Sequence, residues 1–227
     1  MDCESVKSDL RLLSDPKKAQ ILSRFFKTGK GQYGEGDIFL GISVPNQRKV
    51  ARKYSDLELN ELQKLLNSKI HEHRLTSILI LVDKYKKDRK IIFDFYLKNT
   101  KNINNWDLVD LSAPNIVGNF LLNSNRKVLY KLVRSNNLWE KRIAILATAA
   151  FIKNNDFEDI LKISKILIND KHDLIHKALG WMLREVGKKD QEVLEKFLND
   201  HCRQMPRTML RYAIERFEEN KRKSYLL

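Results

Sequence analysis

Apolar residues recur at the three- and four-residue spacing of a helix along most of the chain. Leu75, Ile78, Leu79 and Val82 mark one such face, Ile143, Leu146, Ala147 and Ala150 another, and Val193, Leu194, Phe197 and Leu198 a third. The interruptions are short and polar: Ser55 and Asp56, Asn99 to Lys101, Asn123 to Asn125, Asn154 to Asp156. This pattern predicts a series of helices joined by connections of a few residues. One stretch departs from it. Residues 29–41 hold five of the eight glycines, a concentration that suits a turn-rich loop or a hairpin with residues at positive φ. A small β-hairpin is expected there, with Pro45 in the first turn of the helix that follows.

The helices look repeated. Four segments lead from a short polar stretch through charged residues into an apolar helix: Ile70 to Arg74, Asn104 to Asp107, Asn136 to Arg142, and Asp173 to Lys177. Stepping from His71 to Trp106 to Trp139 to Ile175 gives intervals of 35, 33 and 36 residues. One helical pair per interval is the signature of tetratricopeptide-like or HEAT-like stacks, and the tetratricopeptide pattern of small residues and Gly-x-x-Tyr is missing. The expected fold is therefore all-α, a HEAT-like helical repeat solenoid with the β-hairpin inserted near residues 29–41. Residues 1–227 form a single repeat domain in this reading, with a concave face able to follow an extended ligand.

Charge narrows the ligand. The chain carries 43 Lys and Arg against 29 Asp and Glu, a formal charge of +14, the footprint of a polyanionic partner. Nucleic acid comes first, then a membrane surface or an acidic protein. No uncharged apolar run reaches the roughly 18 residues that span a bilayer, and the acidic start at Asp2 and Glu4 lacks the apolar core of a signal peptide. Cys3 and Cys202 are too few for a disulfide framework, so a reducing, cytoplasmic setting is expected.

Candidate chemistry is sparse. Trp106 and Asp110 stand four apart and share a helical face, with Ser112 and Pro114 following as an N-cap and first-turn proline would. An acid beside a tryptophan at an element's end can stabilise positive charge; the plainer alternative is a core Trp106 and a capping or ion-paired Asp110. Lys177, Trp181 and Arg184 follow i, i+4, i+7 spacing, an alternation of cation and aromatic that can contact phosphates and stack on sugars or bases. Arg207 and Arg211 add a same-face pair after Pro206, and Arg48, Lys49, Arg52 and Lys53 cluster after the glycine-rich stretch. Each cluster taken alone equally describes a solvated face. His172 and His176 have i, i+4 spacing, but Asp173 stands where a zinc-protease motif needs Glu, and no metal site is expected.

Several longer motifs in order resemble the AlkD family of DNA alkylation-repair proteins. They are Tyr33 to Gly41 leading to Val44 and Pro45, Asn105 to Asp110, Leu138 to Arg142, Lys177 to Glu185, and Met205 to Tyr212. The resemblance runs through most of the chain and implies a HEAT-like repeat fold. It also implies hydrolysis of the N-glycosidic bond of N3- or N7-alkylated purines in double-stranded DNA, without base flipping and without a metal or organic cofactor. By the same resemblance Trp106 and Asp110 contact the lesion nucleotide, Trp181 matches a second tryptophan, and Arg142 matches a phosphate-contacting arginine. Lys177, Arg184, Phe25, Lys27, Lys30, Arg48, Arg207 and Arg211 complete the expected DNA contacts of a monomer. Phe25 stands where the glycosylase type has a tyrosine, and the glycine-rich stretch resembles the AlkF and AlkG branch, associated with branched DNA. A non-catalytic binder of branched or damaged DNA is therefore the alternative function, and a protein-binding scaffold is the reading that repeat architecture alone permits.

Overall fold

A computed structural model describes residues 1–226. Among these residues the chain is helical throughout, and its only β-type pairing is an isolated parallel bridge between Ile38 and Ile70. The chain divides into two compact units, Met1–Ser112 and Ala113–Leu227.

The first unit comprises α1 (Cys3–Leu12), α2 (Pro16–Phe25), α3 (Val44–Lys53), α4 (Leu59–Leu66), α5 (His71–Lys84), α6 (Arg89–Lys98), a 3-10 turn at Thr100–Asn102, and α7 (Trp106–Ser112). Helix α5 is its axis, with α1, α3, α4, α6 and α7 all packed against it. Every residue from His71 to Leu81 is buried, so the apolar face of Leu75, Ile78 and Leu79 is only part of what α5 hides. A helix buried on all sides must pair its polar side chains internally, and the four at its start do so. Helix α2 is the opposite case. Asp15 caps it through the N–H groups of Lys17 and Lys18, Pro16 opens it, and none of its residues is buried.

The expected β-hairpin near residues 29–41 is not formed. Successive tight turns bond Gly29 O to Gln32 N, Gln32 O to Glu35 N, and Gly34 O to Asp37 N, and then the chain runs in extended form to α3. The reason lies in α5. The Glu72 carboxylate takes the N–H groups of Leu40, Gly41 and Ile42, which a partner strand would otherwise have bonded. Ile38 turns instead to the entrance of α5, accepting from His71 N and donating to Lys69 O. Gly41 sits at φ +84°, and a Cβ there would lie 2.1 Å from the Asp15 carbonyl, so glycine is required by both conformation and space. Pro45 does stand in the first turn of α3, as its position predicts.

Ser112 is not an N-cap. Helix α7 continues through it, and its buried hydroxyl bonds the Leu108 carbonyl and the Tyr96 hydroxyl. Pro114 opens a wider, π-helical turn at Pro114–Gly118 that continues the same helical course.

The second unit begins with that turn and continues through α8 (Asn119–Leu121), α9 (Lys127–Val133), α10 (Leu138–Lys153), α11 (Glu158–Ile166), α12 (Asp173–Lys189), α13 (Gln191–His201), α14 (Arg207–Ala213) and α15 (Glu219–Leu226). Helices α10 and α12 pack on each other and form its core; α10 also takes the π turn, α9 and α11, and α12 takes α13 and α14. All four repeated sequence segments open or flank a central helix: α5, α7, α10 and α12 start within them. Gly180 lets α14 approach closely, since a Cβ there would lie 2.5 Å from both the Met209 carbonyl and Tyr212 Cβ. Gly180→Ala is expected to cost roughly 2–3 kcal/mol, because backbone cannot yield as a flexible side chain does. Urea unfolding of the variant beside the wild type checks this.

Candidate nucleic-acid interface

The start of α5 organises the first unit's chemistry. Glu72, fully buried, holds the three N–H groups of residues 40–42 at 2.8–3.3 Å. One residue earlier, His71 lies between two carboxylates: Nδ1 is 3.2 Å from Asp37 Oδ2 and Nε2 is 2.8 Å from Asp107 Oδ2. Burial alone would depress its pKa, but Asp107 and then Asp37 outweigh that cost and raise it to about 9. At neutral pH His71 is thus an imidazolium donating to both acids. Arg74 adds a second contact to Asp37 at 2.7 Å, and Asn105 a third at 3.4 Å. Burial would raise the Asp37 pKa, but the hydrogen bond from His71 and the charge of Arg74 hold it below the usual carboxylate range. Two cations and two acids, closed against solvent, tie the 33–41 segment, α5 and α7 together.

These two histidines set a pH profile for stability. His73 is pushed down to about 4, first by burial and then by Lys7 and Arg11. Between pH 4 and 6.5 the unfolded chain binds the proton that folded His73 refuses, so stability falls on acidification. Between 6.5 and 9 folded His71 keeps a proton that the unfolded chain releases, so stability is full below 6.5 and declines as pH rises through 9. Thermal melts against pH are expected to peak near 6.5, with the alkaline decline removed in His71→Gln.

Above this cluster the aromatic rings form a ladder. His71 stacks on Phe39 at 4.5 Å between centroids, Phe39 on Phe26 at 5.0 Å, and Phe26 on Trp106 at 5.0 Å and 11°. Phe25 meets Trp106 edge-on at 5.8 Å and is itself 60% exposed. Trp106 opens α7, its N–H held by the Asn105 side chain at 2.8 Å. One turn on stands Asp110, half-buried like Trp106. The pair thus shares a helical face at the surface of the unit, with the tryptophan braced from behind by Phe26. Beside the ladder lies an apolar cleft of about 440 Å³ between α2, α3 and the start of α5. Of the other cations expected to meet DNA from this unit, Lys27, Lys30 and Arg48 are exposed, Lys27 in a left-handed backbone conformation.

In the second unit Lys177, Trp181 and Arg184 lie along α12 as the spacing predicts, and all three are half-buried. Lys177 pairs with Asp173 at 2.7 Å, Arg184 pairs with Glu215, and Trp181 Nε1 donates to Glu185 at 3.2 Å. Such partly exposed pairs are weak, so a phosphate can replace the carboxylate at little cost. Arg207 and Arg211 are exposed on α14, with Arg207 Nη1 given to the Leu226 carbonyl. Arg142 differs: it is only 5% exposed and donates to the Leu174 carbonyl at 2.6 Å, at the first turn of α12. His172 and His176 serve the same turn, His172 as N-cap acceptor for Leu174 N and His176 against the Asp170 carbonyl.

Sequence reading singled out Trp106, Asp110 and Phe25 but missed Phe26, Phe39, His71, Glu72, Asp37 and Asp107 as the frame that holds them. Their signal was present: His71 to Arg74 places four polar side chains in the first turn of an otherwise apolar helix.

A basic, all-helical chain with an acid one turn beyond a braced tryptophan belongs to the class of helical proteins that handle nucleic acid. A family model described as DNA alkylation repair enzyme matches residues 6–217, and the chain belongs to that family. A solved structure, a predicted DNA alkylation repair enzyme from Enterococcus faecalis, is similar over 91% of this chain and 97% of its own, with a TM-score of 0.72 and 14% identity. At that identity the likeness concerns the fold. No curated protein matches. Among the described residues no helix is long and apolar enough to cross a membrane.

Proposed function

We propose that this chain is an alkylpurine DNA glycosylase of HEAT-like repeat architecture, acting as a monomer on duplex DNA without flipping the base. The observation that carries this is the pairing of Trp106 and Asp110 on one face of α7 in a member of the DNA alkylation repair family. N3- or N7-alkylation already places positive charge on the purine, so the base leaves without strong acid catalysis. As the C1′–N bond breaks, the base takes the electron pair and departs neutral, and positive charge moves to the sugar. Asp110 stabilises that charge and orients the water that adds to C1′, the released proton passing to carboxylate or solvent. Trp106 holds the cationic nucleotide by a cation–π contact. Trp181 supplies a second aromatic contact, and Lys177, Arg184, Arg207, Arg211, Lys27, Lys30 and Arg48 contact phosphates. Arg142 joins them with a guanidinium already oriented by the Leu174 carbonyl, which reduces the entropy lost in a phosphate contact. The setting proposed is the cytoplasm, on the nucleoid when bound, within base excision repair.

Duplex DNA treated with a methylating agent tests this: free N3- or N7-methylpurine is the expected product, and its absence contradicts the proposal. The second reading, a non-catalytic binder of branched DNA, is favoured by Phe25, which offers no hydroxyl beside Trp106. It requires tighter binding to a junction than to plain duplex.

A further inference from the structure

We propose that the apolar cleft of the first unit receives an unpaired nucleobase of the bound DNA, recognised by the side-chain carbonyl of Gln47. The proposal rests on the DNA-binding part of the function above, but not on catalysis. The cleft, about 440 Å³, lies within the range of roughly 300–1,000 Å³ usual for small-ligand sites. Phe25, Phe26 and Trp106 line it with aromatic surface, and Ile21, Leu22 and Val44 with aliphatic surface. Phe25 and Ile21 remain 60% and 65% exposed, an uncommon state for two large apolar side chains one helical turn apart on α2.

Into this apolar lining comes one polar group without a partner. Gln47, on α3, lines the cleft and is 3% exposed; its Nε2 donates to the Ile42 carbonyl at 2.9 Å, which fixes the other end of the amide as the oxygen. That oxygen, Oε1, has no hydrogen-bond partner. A buried acceptor left unpaired is costly, so the occupant that fits is one bringing an N–H donor. A planar ring that stacks on aromatic side chains and carries an N–H or NH₂ edge is a nucleobase. Charge at the rim agrees with a nucleotide. Lys18 stands at the cleft, and Arg48, Lys49 and Arg52 are exposed on the same helix as Gln47. Stacked bases of a paired duplex do not present such an edge to a cleft, so the base in question is one already unpaired.

Fluorescence anisotropy with the full chain and three duplexes tests this: one fully paired, one with a single extrahelical adenine, and one with purine, lacking the exocyclic amine, in that place. Wild type is expected to bind the adenine bulge about tenfold tighter than the paired duplex, and tighter than the purine bulge. Gln47→Leu is expected to lose the difference between adenine and purine. Ile21→Trp, an exposed change that crowds the mouth without entering the core, is expected to lose the preference for either bulge, and it decides the matter if Gln47→Leu does not fold. Equal wild-type affinity for bulge and paired duplex overturns the cleft while leaving DNA binding standing, as does adenine discrimination that survives in Gln47→Leu. No binding to any of the three overturns the DNA-binding reading and the cleft together.

Discussion

Asp110→Asn is expected to slow base release from methylated duplex DNA by roughly a hundred- to a thousandfold, the usual cost of removing one preorganised group that stabilises transition-state charge. The amide keeps the shape of the side chain and loses only its negative charge. Because the ground-state duplex does not carry the sugar cation, DNA affinity is expected to stay within a few-fold of wild type. The loss therefore falls on the chemical step. Single-turnover rates with saturating protein, set beside equilibrium binding to the same duplex, separate the two quantities. A variant that loses affinity and rate in proportion would make Asp110 a structural residue and return it to the role of helix-end ion-pair partner.

Glu72→Ala is expected to have the largest effect on stability. It leaves the N–H groups of Leu40, Gly41 and Ile42 without their acceptor, two of those residues being buried. Each buried donor left unpaired costs about 1–3 kcal/mol, so a total loss of about 3–5 kcal/mol is expected. That is a large part of the roughly 5–15 kcal/mol that holds a folded domain. Glu72→Gln keeps one acceptor oxygen and is expected to lose less than half as much. Urea unfolding of both variants checks the order. The segment that Glu72 holds forms one wall of the cleft and carries Phe39 into the aromatic ladder, so loosening it also loosens Trp106.

Helix periodicity made most of the fold legible. The apolar faces of Ile143 to Ala150 and Leu194 to Leu198 are buried as spaced, and the four polar-to-apolar transitions fall at the starts of α5, α7, α10 and α12. Residues 29–41 were misread because glycine content reports positive φ and close approach, not the partner that satisfies the backbone. Here that partner is a carboxylate 30 to 32 residues away, and no local pattern encodes it. Ser112 was misread for a similar reason: a serine before a proline fits a cap equally well as a buried hydroxyl bonded to Tyr96. At the site, the i, i+4 spacing of Trp106 and Asp110 was readable within one helix, whereas the ladder from His71 to Trp106 joins residues from four segments of the first unit.

The most direct test of the central claim uses a duplex carrying a single N7-methylguanine, incubated with wild-type chain in excess and then treated with alkali to cleave any abasic site. Strand cleavage at the lesion, dependent on Asp110, is the result expected of an alkylpurine glycosylase. Full-length strands after prolonged incubation, with the duplex bound throughout, would contradict it and assign the chain to the recognition of DNA structure.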